Sequence, residues 1–186
     1  MSKFPAMIAK RFAFLFPFLL FVAIITKAQD DGGYKMPPKD IAGMLLAKPS
    51  PNVSIDDKGE WMLFSDISLY PSVEELARPE LRIAGLRINP NNYAPSRQNF
   101  INNIWLKNIA TGKEYKITGL PSPLFAGSIT WSPGNKKIAF TQTTADKVDL
   151  YVIDVTTQKA SKVNKTALNA LIGTYQWYDD NTLLYR

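Results

Sequence analysis

The chain carries no histidine and no cysteine. A thiolate nucleophile, a disulfide, a His/Cys zinc site and a Ser-His-Asp triad are therefore excluded for these residues alone. A Ser-Lys dyad is excluded as well, because no S-x-x-K spacing occurs. The chemistry that remains belongs to carboxylates and guanidiniums. Glu74 and Glu75 form an adjacent acidic pair, and Arg78, Arg82, Arg87 and Arg97 cluster after it. A guanidinium presents a rigid fork of donors that matches a carboxylate, so this cluster suits an acidic ligand or, equally, salt bridges. Asp56-Asp57-Lys58-Gly59-Glu60 and Asp179-Asp180 lack the alternating acids and distant bidentate Glu of a calcium loop, and read as hairpin turns. No metal and no cofactor is expected.

The elements that position these side chains repeat. "TWSPGNKKIAF", Thr130 to Phe140, reads as strand, tight turn, strand. At a shift of 46 positions, "NIWLKNIATGKEYKIT" (from Asn103) falls without a gap on "DLYVIDVTTQKASKVN" (from Asp149), and Thr111-Gly112 shares a turn with Thr157-Gln158. The hairpin recurs as "QWYDDNTLLYR" from Gln176 after a one-residue deletion, pairing Trp131 with Trp177 and Phe140 with Tyr185. An earlier copy, "VSIDDKGEWMLF" from Val53, fits at a shift of 76, the same 46 plus a 30-residue insertion. Four strands per unit at a period of roughly 40 to 50 residues predict β-propeller blades. Two unrelated hairpins of a β-sandwich would not require gapless matching at one shift.

The expected fold is all-β, an incomplete β-propeller of about two four-stranded antiparallel blades plus the start of a third. A blade with an insertion spans 51–120, a regular blade 121–165 and the opening of the next 166–186. Residues 29–50 form a lead-in, in which Ile41 to Ala47 could give one or two helical turns whose apolar positions pack beneath the ring. Within the insertion, Ser72 is placed to cap a short helix to Leu76, with Glu75 completing a capping box.

Residues 1–28 have the three-part build of a secretory signal: Lys3, Lys10 and Arg11, an apolar stretch from Phe12 to Ile25, then Thr26-Lys27-Ala28. Export to the periplasm or extracellular space is expected. The net charge of +6 falls to +2 once that segment is removed, since Lys3, Lys10, Arg11 and Lys27 go with it and no acid does, leaving 18 basic against 16 acidic residues. Such a balance gives no electrostatic reason to expect nucleic acid, or a membrane beyond signal targeting, as partner. Asn52-Val53-Ser54 and Asn164-Lys165-Thr166 match the N-glycosylation pattern, as short chance matches often do.

The hairpin "ITWSPGNKKIAF" with "LYVIDV" after it resembles blades of the prolyl oligopeptidase family of serine peptidases, and also exported propellers of the TolB type. The insertion "PSVEELARPELRIAGLRINP" with "SRQNF", and the lead-in "MPPKDIAGMLLAKPSPNVSIDDKGEWMLF", are similar to the glutamyl-endopeptidase-like branch of that family. The resemblance implies a propeller that caps a C-terminal α/β-hydrolase domain and limits access to a Ser-Asp-His site at a G-x-S-x-G elbow. No such elbow occurs in these residues, and Gly127-Ser128 leads only into a strand, so the chain by itself is expected to be inactive. Its implied partners are a peptide substrate and that hydrolase domain. A glutamyl-specific peptidase must bind an acidic side chain, and Arg87 and Arg97, which flank "NPNNYAPS" rather than the short helix, are the candidates. Salt bridging or contact with the hydrolase domain would use the same residues. Related dipeptidyl peptidases hold a substrate amine with a Glu-Glu pair, but from a later blade, so helix capping is the simpler role for Glu74 and Glu75. The reading of a different class is a non-enzymatic envelope propeller, TolB-like, that binds a protein or peptide.

Overall fold

The computed structural model describes residues 35–186, and the signal-like segment 1–28 lies outside them. The chain divides into two units between Ala47 and Lys48. In the first, helix α1 (Lys39–Leu45) follows Pro38, whose missing N–H suits it to a helix start. None of its residues is buried.

From Lys48 onward the fold is all-β, with antiparallel sheets consistent with a β-propeller fragment. Strands β1 (Asn52–Ile55) and β2 (Trp61–Ile67) form a hairpin. An insertion then supplies helix α2 (Val73–Ala77) and the hairpin of β3 (Leu81–Ile83) and β4 (Leu86–Ile88). The chain returns as β5 (Ile101–Asn108), antiparallel to β2, with β6 (Glu114–Lys116) beyond it. A second four-stranded antiparallel group follows: β7 (Ala126–Trp131), β8 (Lys137–Thr143), β9 (Val148–Asp154) and β10 (Lys159–Lys162). The pair Ile101–Ala126 joins the two groups. A hairpin of β11 (Tyr175–Trp177) and β12 (Leu183–Tyr185) completes the described strands.

The sequence repeat is carried by repeated contacts. Phe64 faces Trp105 across β2 and β5, ring centroids 5.1 Å apart, and the equivalent Phe140 faces Tyr151 across β8 and β9 at 5.5 Å. Such cross-strand aromatic pairs lock register, because a one-residue slip would turn every side chain to the wrong face. The turns match too. Buried Asp56 accepts the N–H of Trp61 through its side chain at 3.1 Å, and buried Ser132 does the same for Lys137 at 3.1 Å. Asn108 and Asp154 each accept Thr N–H and hydroxyl bonds, from Thr111 and Thr157. Gly112 has φ +68° and its counterpart Gln158 has φ +53°, so both copies of that turn demand the left-handed region.

Two cores explain why β8 is buried on both faces. Ile138 and Phe140, with Ile153 of β9, pack against Leu63, Ile104 and Leu106 of the first group. The intervening Ala139 turns the other way, with Val148 and Leu150, toward Tyr175, Trp177 and Leu183 of the last hairpin. Tyr175 Oη reaches the carbonyl of Ala139 (2.8 Å), Thr130 Oγ1 (3.0 Å) and the carbonyl of Ser128. Desolvation pushes its pKa up to about 12, because the partly buried phenol resists ionisation. At the turns, Gly134 donates its N–H to Asp180 at 2.6 Å, and a Cβ there would collide with that carboxylate. Beyond β10, buried Asn164 accepts the N–H of Leu150 (2.7 Å) and donates to Thr166 O (2.7 Å) and to Asp149 (3.2 Å), which also pairs with Lys162 at 2.8 Å.

Candidate binding site in the insertion

The insertion between β2 and β5 builds its site from polar contacts. Ser72 caps α2 through a 3.1 Å bond from the Glu75 N–H, as the spacing predicts, and neither helix carboxylate is free, since Arg78 bridges Glu74 and Glu75 at 3.1 Å each. After Pro79 the β3–β4 hairpin reverses through Ala84-Gly85, both at positive φ (+49° and +86°), the geometry of a two-residue type I′ turn. Its register places Arg82 directly opposite Arg87. Like charges facing each other across a hairpin repel. Glu80 resolves the conflict.

The Glu80 carboxylate is the hub of the insertion. Oε1 accepts from Arg82 Nε (2.9 Å) and Arg87 Nη1 (2.8 Å), while Oε2 accepts from Arg97 Nε and Ser96 Oγ (3.1 Å each). The hub side chain is only 10% exposed, whereas those of Arg82, Arg87 and Arg97 are 67, 45 and 42% exposed. Desolvation alone would raise the Glu80 pKa. Hydrogen bonds from Arg82 and Ser96 and the charges of Arg87 and Arg97 outweigh it and hold the carboxyl below its ordinary value. Arg97 sits at φ +60°, an uncommon backbone for a non-glycine residue, and its N–H is held by Glu75 at 3.2 Å. The loop between Arg87 and Arg97 is tied to the second strand group through Asn92 Nδ2, which donates to Thr144 O at 2.9 Å.

The structure thus brings the two candidate arginines, Arg87 and Arg97, onto one carboxylate, adds Arg82 to them, and sends Arg78 to a separate pair. Glu80 and Ser96 had not been singled out. The charge alternation in "RPELR" was the available signal, but which arginines share Glu80 depends on contacts up to 17 residues apart. Alongside lies a cavity of about 250 Å³, lined by Tyr70, Glu75, Arg78, Asn99, Phe100 and Phe125 among others. Phe100 and Phe125 meet edge to face in its wall, 5.6 Å between centroids. Arg87 and Arg97 are not in its lining. Asp56 holds its turn, and Asp179 and Asp180 accept backbone N–H bonds from Asn181 and Gly134, so these acids are structural. Among the described residues no group of three or more acids, His or Cys is placed to hold a metal ion, and no helix is long and apolar enough to cross a membrane.

No protein-family profile matches the chain. Two curated plant proteins do, both named "Probable glutamyl endopeptidase, chloroplastic". The chain is 28% identical to the one from Oryza sativa subsp. japonica over 165 residues, 82% of its own length, and 30% identical to the one from Arabidopsis thaliana over 179 residues, 87% of its length. It spans 18% and 19% of those relatives, so most of each lies outside the match. A solved structure bearing the name dipeptidyl aminopeptidase IV, from Bacteroides ovatus, superposes with a TM-score of 0.41 at 15% identity, over 72% of this chain and 20% of that one. That likeness is too slight to build on.

Proposed function

We propose that the chain belongs to the prolyl oligopeptidase family of peptidases and is the N-terminal propeller portion of an exported, glutamyl-endopeptidase-like serine peptidase, a reading supported by its similarity to the two proteins named glutamyl endopeptidase. Each four-stranded group is one blade, and the β11–β12 hairpin opens the next. The propeller gates and positions peptide substrate for an α/β-hydrolase domain that these 186 residues do not contain. One observation carries the reading: the chain is similar to two proteins named glutamyl endopeptidase over 82 and 87% of its length. Face-to-face packing of successive strand groups, through Phe140 on one side and Ala139 on the other, supports the blade assignment.

Arg87 and Arg97 are the residues proposed to receive an acidic side chain of the substrate. Both remain nearly half exposed after pairing with Glu80, so each guanidinium keeps donors turned outward. The test uses the parent peptidase. Arg87→Ala and Arg97→Ala should each lower kcat/KM for cleavage beside Glu about 10-fold or more relative to a neutral residue, the scale of losing a charged hydrogen bond of roughly 1.5–3 kcal/mol. An unchanged preference would remove this role. The gene beyond codon 186 should encode further blades, a G-x-S-x-G elbow, then Asp and His; a stop without them would defeat the peptidase assignment. Export is tested by N-terminal sequencing of the mature protein, expected to begin at Gln29. The plant relatives carry a chloroplast designation instead.

A further inference from the structure

We infer that Arg82, Arg87 and Arg97 together form a site for a peptide segment with two neighbouring carboxylates, and that Glu80 is its positioning residue rather than its competitor. The inference rests on the proposed role of Arg87 and Arg97 and extends it to a third arginine and a second acid. Three guanidiniums meet one carboxylate, which leaves a surplus of two positive charges at the hub. Arg78 pairs with both Glu74 and Glu75 and offsets one of their two charges, so the insertion as a whole sets four guanidiniums against three carboxylates, and the placing of the forks rather than net charge sets how many acids the site takes. The geometry separates the roles: Glu80 is the least exposed member and the three arginines are the exposed ones. Each arginine also keeps at least one terminal nitrogen outside its bonds to Glu80. Arg82 and Arg87 stand directly opposite on adjacent strands, so the hub holds side by side two forks that would otherwise repel, and Arg97 closes the third side. One carboxylate can satisfy one fork, and two forks held side by side on adjacent strands suit two neighbouring carboxylates.

Isothermal titration of this chain with acetyl-Glu-Glu-amide, acetyl-Glu-Gln-amide, acetyl-Gln-Gln-amide and inorganic phosphate tests the inference. The diacidic peptide is expected to bind about 10-fold tighter than the monoacidic one, with salt weakening both, and the neutral peptide not at all. Arg87→Lys and Arg82→Lys keep the charge but lose the fork, and should each reduce diacidic binding at least threefold; no loss would reduce the site to a diffuse charge patch and overturn the inference. Glu80→Gln gives opposite signs for the two roles. It raises the local positive charge, so a competitor or mere counter-ion would yield tighter binding when removed, whereas a positioning residue yields weaker binding. Tighter binding by Glu80→Gln, equal affinity for the mono- and diacidic peptides, or binding of phosphate alone would each overturn it. The kinetic test in the parent peptidase fails separately. Glu preference lost in Arg87→Ala, with no advantage for a second acid, would leave the function standing and sink this inference; preference retained, with diacidic binding intact, would do the reverse.

Discussion

The second strand group and the insertion of the first are held by opposite kinds of force. In β8 and β9, Ile138, Phe140, Leu150 and Ile153 are fully buried and the strands pack on two sides. In the insertion, α2 buries no residue, β3 is exposed throughout, and the organising contact is one carboxylate among three arginines. Apolar packing is non-directional and scales with area, so it makes a rigid frame. Charge-assisted bonds are directional and leave donors for a partner. The frame sets where the insertion starts and ends, and the insertion is free to specialise.

The largest expected effect breaks the frame. Phe140→Ala removes the ring that stacks on Tyr151 within the core shared by both groups, and should cost roughly 3–5 kcal/mol in a urea titration. A loss as small as that of a surface substitution would mean the two groups do not share a core. Next is the seam between the groups. Gly119 has φ +76°, and a Cβ there would lie 2.5 Å from the Ala160 carbonyl oxygen, so Gly119→Ala should cost about 1–3 kcal/mol. Hydrogen exchange should localise the damage to β6 and β10.

Tyr175→Phe is smaller, about 1 kcal/mol for a hydrogen bond removed at a partly buried phenol. It carries a distinct pH signature. Because the folded pKa is raised from 10 to about 12, the unfolded chain ionises first, and stability present below pH 10 declines as pH rises toward 12. The Phe variant should lack that part of the alkaline loss, measured by thermal melts between pH 8 and about 11. Glu80→Gln acts at the other end of the scale and on the insertion alone. Its depressed folded pKa gives stability that is present above the ordinary value of 4.5 and lost as pH falls through the folded one. The variant should be less stable at neutral pH and show a flatter acid limb, with β8 and β9 exchange rates unchanged.

How much of this was legible in the sequence divides along the same line. Residues repeated at fixed shifts reappear as repeated contacts: Phe64 with Phe140, Asp56 with Ser132, Gly112 with Gln158. Strand periodicity and turn chemistry are local, so the sequence exposes them. The Ser72 cap was readable for the same reason. The Glu80 hub was not, because a salt-bridge partner is chosen by how a hairpin and a returning loop meet. The cavity was not either, since Tyr70, Phe100 and Phe125 come from three segments that only the fold brings together.

Asn164 shows what such closure does to a surface motif. Its amide is spent on Leu150, Asp149 and Thr166 and sealed from solvent, although Asn164-Lys165-Thr166 spells a sugar-acceptor triplet. A glycosyltransferase could reach that nitrogen only while the amide was released from Leu150, Asp149 and Thr166. Any glycan attached there would forbid the buried bonds and trap the molecule short of its native form, so modification and maturation at this position are mutually exclusive fates.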